Sequence, residues 1–185
     1  MKPAAGKTNI TETIKEREHI GISFDEIEPI LKRHGISPNF VVLDSLSNHP
    51  SIHDIFGGKN VALILCNVHM HGHSSSINHW ISVIKTGHPR KFWFFDSMGN
   101  TMQGIQIRVS NGKQSLTNWA KQYKIINSLE KLQSWSGNLQ SCGMHQVVRI
   151  LPKNLNPGHY IRWLKSAGMK PDMAVSYMCY VDLLK

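Results

Sequence analysis

The sequence has few cysteines, no long apolar run and fewer acidic than basic side chains. Its 185 residues include three cysteines, an odd number at wide spacing, which does not make a disulfide framework. No apolar run reaches the roughly 18 residues that a membrane-spanning helix requires. Residues 1–19 contain no apolar stretch after their charges and do not resemble a secretory signal. These absences predict a protein that is not secreted, does not enter a membrane and stays in the cytoplasm or nucleus.

The charge balance is strongly basic, with 21 Lys and Arg against 12 Asp and Glu and a formal net charge of +9. Such an excess favours association with polyanions through counterion release and long-range attraction. One interpretation is therefore a non-enzymatic nucleic-acid-binding module. The bases of the bound nucleic acid would stack on Trp80, Trp93, Trp135 and Trp163. The alternative is a basic protein whose tryptophans pack in its core.

The apolar pattern predicts a single α+β domain, with strands in the middle of the chain and helices at its end. Strands are predicted at 40–43, 61–65, 80–84, 92–95 and 124–126, where β-branched and aromatic residues cluster. Gly87 and Pro89 predict a hairpin between the third and fourth strands. Helices are predicted after Ser23, from Cys142 to Leu151, after Asn156 and after Lys170. The polar, aperiodic residues 1–20 are predicted to form a flexible arm, and 21–185 the domain.

Cys142 is the candidate nucleophile among the cysteines. Cys66 and Cys179 lie in apolar runs, as small buried residues do, whereas Cys142 lies between Ser141 and Gly143 at a predicted helix start. The positive end of the helix dipole favours a thiolate there, and the free backbone N–H groups can bind an oxyanion. Gly143 is expected to leave room for a substrate backbone. The alternative is a solvent-facing cysteine with no chemical role.

A thiolate nucleophile needs an imidazole base and a group that orients it. His79 begins a predicted strand, where its backbone is held and its side chain can face a cleft. Asp96 directly follows the next strand, so the hairpin brings both strand ends to one rim of the sheet. Nucleophile, base and orienting carboxylate are the three parts of a triad. Each residue alone also fits a plain loop or turn position.

A histidine cluster offers a rival, metal-binding interpretation. His69, His71 and His73 alternate and His79 follows them, so that three imidazoles could lie on one side of an extended segment. Zinc requires three or four ligands with supporting contacts. The cluster lies in a Gly- and Ser-rich stretch, which favours a loop over a metal site. The expectation is that the protein holds no metal.

The same motifs resemble a known group of enzymes, the adenovirus-proteinase and SUMO-protease clan of cysteine proteases. The residues that carry the resemblance are His79–Trp80, Phe94–Gly99, Gln133–Ser134 and Ser141–Gly143, in the order that the clan keeps. Upstream, Ile30–Gly35 and Pro38–Phe40 are similar to the opening of adenovirus-type maturation proteases. The likeness extends over residues 25 to 150.

The resemblance implies a fold and a set of roles. The fold is α+β, with a central mixed or antiparallel sheet flanked by helices in a papain-like arrangement. Cys142 is the nucleophile, His79 the general base, Asp96 the orienting carboxylate and Gln133 the side-chain donor to the oxyanion. Gln133 lies nine residues before the cysteine, farther than usual in the clan, so Gln140 stays open as the alternative.

The resemblance also implies a function, the maturation of virus particles by cleavage of precursor capsid or core proteins after small residues such as glycine. It implies a monomer in the virion and the host-cell cytoplasm or viral factory. No cofactor is expected beyond DNA, bound without sequence preference, or a peptide as an activating partner. The alternative within the clan is an isopeptidase that removes SUMO or another ubiquitin-like protein.

Overall fold

The structure is a computed structural model that describes residues 10–43, 49–69, 76–109, 114–134 and 140–183. The strands in these ranges are β1 (Asn39–Val42), β2 (Val61–His69), β3 (Ser76–Lys85), β4 (Lys91–Phe95) and β5 (Lys124–Asn127). The helices are α1 (Ile10–Ile20), α2 (Phe24–Arg33), α3 (Met102–Arg108), α4 (Ser115–Gln122), α5 (Cys142–Ile150), α6 (Pro157–Lys165) and α7 (Pro171–Leu183). A short 3-10 helix spans Asp54–Phe56.

The five strands form one mixed sheet in the order β1-β2-β3-β4-β5. The central pairs β2–β3 and β3–β4 are antiparallel, whereas β1 and β5 are parallel edge strands on β2 and β4. The predicted α+β class, the hairpin that joins β3 to β4 and the edge position of β5 are confirmed.

Both faces of the sheet are covered, because alternate side chains of each strand enter two separate apolar clusters. Phe95 and Ile84 belong to the cluster that α2, α5, α6 and α7 complete. Phe94 and Val83 belong to the opposite cluster, with α3, α4 and the 3-10 helix. Burial on both faces explains why these strands are almost continuously apolar in the sequence.

The helix starts predicted from capping residues are confirmed. The backbone N–H of Ser23 donates to Glu26 Oε2 at 3.0 Å as α2 begins, and Asn156 Oδ1 accepts from the N–H of His159 at 2.9 Å as α6 begins. The helices α3 and α4 were not predicted. Each buries only two or three side chains, too few to produce a recognisable period in the sequence.

The structure differs from the predicted arm in its second half. Residues 10–20 form α1, which packs against α7 and buries Ile14, while residues 1–9 lie outside the described part of the chain. The apolar residues of α1 are three isoleucines among eight polar residues, so the sequence shows no clear helical face. None of the helices in the described ranges is long and apolar enough to cross a bilayer.

The docking of α1 predicts different effects for two isoleucines of that helix. Ile14 is 6% exposed and Ile20 is 64% exposed. Ile14→Ala should lower the free energy of unfolding by about 2–4 kcal/mol, because it leaves a cavity beneath the helix. Ile20→Ala, the matched control, should change it by less than about 0.5 kcal/mol. Urea denaturation of both variants measures this, and equal small losses would contradict the docked helix.

Candidate active site

The site lies where β3 extends beyond the end of β4. The ladder between these strands ends at the pair Ser82 and Phe95, so Trp80 extends past the last strand partner on that side. The start of α5 takes the place of the missing strand. The backbone N–H of Trp80 donates to the sulfur of Cys142, and its carbonyl accepts from Gln146 Nε2 at 2.8 Å. The main-chain N–H and C=O of Trp80 are therefore both hydrogen-bonded to α5. Buried main-chain groups require such partners.

Asp96 is the first residue after β4 and is fully buried in a turn closed by Gly99. Its Oδ1 lies 2.6 Å from His79 Nε2 and accepts from the N–H of Met98 at 2.9 Å. Its Oδ2 accepts from the N–H and the side-chain amide of Asn100, at 3.1 and 2.6 Å. Burial raises the pKa of Asp96, but the charge and bond of His79 and these donors outweigh it, so the pKa lies below its usual range.

His79 lies between Asp96 and Cys142 and is 1% exposed. Its Nε2 is committed to Asp96, which leaves Nδ1 as the ring nitrogen for the hydrogen bond to the Cys142 sulfur. Burial acts to lower the pKa of His79, but the negative charge and bond of Asp96, joined by those of Cys142, raise it. The ring is therefore held as an imidazolium.

Cys142 is the first residue of α5, as predicted, and is 8% exposed. Burial acts to raise the pKa of its thiol. The bond and charge of His79, with the N–H groups of Trp80 and Gly143, outweigh burial and lower that pKa. Together with the raised pKa of His79, this favours a thiolate–imidazolium pair.

Gln133 is held next to the triad by Ser97, the residue after Asp96. The carbonyl of Ser97 accepts from the N–H of Gln133 at 2.9 Å, and its hydroxyl donates to Gln133 Oε1 at 2.7 Å. Because Oε1 accepts this bond, the amide turns its NH₂ group away from Ser97. One cleft is lined by Gln133, Gln140 and Cys142. The side chain of Gln140 is exposed, whereas that of Gln133 is buried. The structure thus brings all four predicted residues to the same place.

The cleft above Cys142 has a volume of about 960 Å³. One wall is the connection between α1 and α2, and the other is made by β1 and the start of β3. Four of its apolar side chains are unusually exposed: Ile20 (64%), Phe24 (43%), Val42 (55%) and Ile77 (38%). Exposed apolar side chains grouped along a cleft mark a surface that binds another molecule.

Gly143 does not leave room for a substrate, contrary to the expectation from the sequence. A Cβ at this position would overlap Ile22 Cγ2 and lie 3.2 Å from Trp80 Cδ1. The space beside Gly143 is already filled by the connection between α1 and α2. The glycine is needed so that this connection can pack directly beside Cys142.

The described residues contain only parts of the two rival sites. No group of three or more His, Cys, Asp or Glu side chains in the described ranges could hold a metal ion. His71 and His73 lie outside those ranges, as does the side chain of His69, and His79 is paired with Asp96. Trp135 also lies outside them. Among the other proposed stacking residues, Trp80 and Trp93 are partly buried and Trp163 is 41% exposed.

Sequence reasoning missed the residues that support the triad. Ser97 lies within the motif that identified Asp96, and Asn100 directly follows it. The ability of an aspartate to accept from N–H groups shortly after it in the chain could have predicted Asn100. Gln146 and Asp172 make their contacts with Trp80 and Ser141 across long sequence separations. No local pattern in the sequence indicates either of them.

Comparison with known proteins supports the fold. No protein-family model matches the chain, and no curated protein matches it. Among solved structures it is similar to the ASFV pS273R protease, with a TM-score of 0.50 and 16% identity over 86% of this chain and 66% of that one. It therefore spans just under two thirds of that protease. Its five-stranded mixed sheet flanked by helices is the same fold.

Two further structures give lower scores. The selenomethionine form of the ASFV pS273R protease has a TM-score of 0.48, with 14% identity over 86% of this chain and 66% of that one. The SUMO protease Ulp1 with its catalytic cysteine oxidized to a sulfinic acid has a TM-score of 0.38, with 16% identity over 95% of this chain and 83% of that one.

The paired thiolate predicts selective alkylation of Cys142. At about pH 6, more than two units below the ordinary thiol pKa of about 8.5, iodoacetamide should modify Cys142 at a rate well above that of an ordinary thiol. The buried Cys66 and Cys179 are internal controls. Mass spectrometry of each cysteine-containing peptide over a range of pH measures the three rates.

His79→Ala tests the cause of that reactivity. Without the imidazolium, the pKa of Cys142 should rise and its fast alkylation below pH 8 should disappear. Fast alkylation that survives in this variant would contradict the ion pair. A wild-type Cys142 that reacts only near pH 8.5, as an ordinary thiol does, would contradict it too.

The close packing at Gly143 predicts that Gly143→Ala destabilises the protein by about 1–3 kcal/mol, because Ile22 must move. Gly158→Ala is the matched control. Its Cβ would lie 3.6 Å from the nearest side-chain atom, an ordinary contact within a helix, and the change should be neutral or slightly stabilising. Thermal denaturation of both variants measures the difference, and equal melting temperatures would contradict the assigned packing.

Proposed function

We propose that this protein is a cysteine protease in which Cys142 is the nucleophile, His79 the acid and base and Asp96 the residue that orients His79. The observation that carries the proposal is the unbroken line of contacts from Asp96 through His79 to Cys142 at the base of an open cleft. A thiolate at a helix start, paired with an oriented imidazolium, is suited to acyl transfer. The fold shared with the ASFV pS273R protease supports the same conclusion.

The proposed reaction has two acyl-transfer steps. The Cys142 thiolate adds to a peptide carbonyl, and the carbonyl oxygen becomes an oxyanion. The C–N bond then breaks as the His79 imidazolium gives its proton to the leaving amine, and a thioester remains on Cys142. His79, now neutral, takes a proton from water as that water attacks the thioester, and the released thiolate pairs again with imidazolium.

The oxyanion has two sources of donors in this proposal. Backbone N–H groups in the first turn of α5 have no intrahelical partner and carry the positive end of the helix dipole. The NH₂ group of Gln133 is the second source, because Ser97 binds the opposite end of that amide. Gln140 is exposed and has no such orienting contact among the described residues, which favours Gln133.

The shape of the cleft supports a substrate that is small beside the scissile bond and apolar farther away. Ile22 and Trp80 crowd the backbone next to Cys142. A Cβ on Gly21 would lie 3.0 Å from Gln140 Oε1, so the α1–α2 connection also lies close to the residues that precede Cys142. The apolar side chains at Phe24 and Val42 line the same cleft and are suited to a larger residue. Cleavage after glycine fits this arrangement.

The biological substrates in this proposal are precursor capsid or core proteins of a virus, cut during maturation of the particle. The sequence resemblance to viral maturation proteases and the fold shared with the ASFV pS273R protease support this choice. The enzyme would then act as a monomer in the virion and in the host-cell cytoplasm or viral factory. The net charge of +9 supports DNA as a partner that binds without sequence preference.

The proposal predicts cleavage of fluorogenic peptides that carry glycine before the leaving amine, and little cleavage when leucine replaces it. Cys142→Ala should lower kcat roughly 10⁴-fold or more, because the thiolate acts in both steps. Asp96→Asn should keep more activity than Asp96→Ala, because an amide oxygen can still accept from the imidazolium. Cys179→Ala, which removes a buried sulfur outside the site, is the control that should keep activity.

The assay also separates the rival functions. Turnover of a SUMO or ubiquitin-like fusion without turnover of short peptides would favour the isopeptidase. A third outcome is DNA binding without peptide cleavage and without fast alkylation of Cys142, even when DNA or a peptide activator is added. This outcome would favour the nucleic-acid-binding module and refute the protease. Full activity in Asp96→Ala would show that another group orients His79.

A further inference from the structure

A second buried carboxylate, Asp172, lies close to the site but outside the triad. It is in the first turn of α7 and is 4% exposed. Its Oδ2 accepts from the N–H of Ser134 at 2.8 Å. Its Oδ1 accepts from Ser141 Oγ at 2.5 Å and lies 3.0 Å from His145 Nε2. Three separate parts of the chain therefore meet at one carboxylate.

Two of these contacts lie directly beside the proposed oxyanion donors. Ser134 follows Gln133, and Ser141 precedes Cys142. The chain from 135 to 139 connects these two points, and Asp172 holds both of its ends. The distance between the Gln133 amide and the first turn of α5 thus depends on a group that is remote in sequence.

The contact with Ser141 also changes how α5 begins. A serine at the N-cap ordinarily has extended backbone and accepts from an N–H of the first turn. Ser141 instead has helical backbone, with φ −77° and ψ −2°, and its side chain makes no capping bond. Its hydroxyl donates to Asp172. No capping side chain therefore competes for the N–H groups of the first turn of α5, which stay beside Cys142; that of Gly143 donates to the Cys142 sulfur in the absence of substrate.

Asp172 is suited to this task because it stays ionised. Burial acts to raise the pKa of Asp172, but its bonds to His145, Ser141 and Ser134 outweigh burial and lower that pKa to about 2. A carboxylate accepts from three donors at once, which no neutral side chain of this size does. His145 lies one turn beyond Cys142, so the same carboxylate also ties α7 to α5.

We propose that Asp172 is a positioning residue for the oxyanion site, acting through Ser134 on Gln133 and through Ser141 on the first turn of α5. The inference rests on the proposed protease function. Asp172 does not touch the reacting atoms. It sets the distance and orientation of the groups that bind the oxyanion, and so it affects acyl transfer without affecting the thiolate.

Two reactions of Cys142 distinguish this role from general support of the fold. Peptide hydrolysis passes through an oxyanion, whereas alkylation by iodoacetamide displaces iodide at a saturated carbon and forms none. Loss of the oxyanion site should therefore lower kcat and leave alkylation unchanged. Damage to the fold or to the thiolate–imidazolium pair should lower both.

Asp172→Asn in the full chain is the test, with the glycine-containing fluorogenic peptide and iodoacetamide as probes. The expected result is a fall in kcat of about 10- to 100-fold. KM and the rate of Cys142 alkylation at pH 6 should each change less than about threefold. Ser176→Ala is the matched control. Its buried hydroxyl lies on the same helix and has no hydrogen-bond partner among the described residues, so kcat should stay unchanged.

Ser141→Ala is a second variant, to be used also if Asp172→Asn does not fold. It removes one of the three contacts and should lower kcat in the same manner but less, again with alkylation retained. An unchanged kcat in either folded variant would overturn the inference, and so would a parallel loss of turnover and alkylation. If the wild type neither cleaves peptides nor shows fast alkylation of Cys142, the proposed function fails and this inference fails with it.

Discussion

The rest of the site depends on the hydrogen bonds that hold the buried carboxylate of Asp96. This carboxylate is fully buried, and a buried charge is tolerated only when its lone pairs are matched by donors. The donors at Asp96 are the imidazole of His79 and groups of Met98 and Asn100 in its own turn. The local donors hold the carboxylate within its own turn. The carboxylate then fixes which nitrogen of His79 is left to face Cys142.

The turn after β4 performs two tasks with neighbouring residues. Asp96 orients the base, and Ser97 orients Gln133 through both its carbonyl and its hydroxyl. Gly99 makes this possible, since it has a φ of +76° and a Cβ there would lie 3.0 Å from the carbonyl oxygen of Leu129. Because β4 ends at this turn, β3 has no strand partner at Trp80 on the β4 side, and α5 can approach it there. A single strand end thus positions His79, Gln133 and Cys142, the proposed base, oxyanion donor and nucleophile.

Local patterns predicted much of this arrangement. The strands, the hairpin and the start of α5 follow from alternation, turn residues and caps, which depend on near neighbours in sequence. The docked helix α1 and the role of Gly143 were missed, because both depend on packing across the molecule. Gln146 binds Trp80 from 66 residues away, and Asp172 binds Ser141 from 31 residues away. Contacts at such separations leave no periodic or spaced signal in one sequence.

The C-terminal helices belong to the site, although the sequence resemblance ends near residue 150. The helix α7 packs against both α1 and α5, and its first turn supplies the carboxylate that binds Ser134, Ser141 and His145. Those three residues flank the proposed oxyanion site on either side. The helix α1 in turn leads into the connection that fills the space beside Gly143. Helices near both ends of the described chain therefore support residues that line the cleft, and the geometry around Cys142 depends on helices whose own sequences carry no catalytic motif.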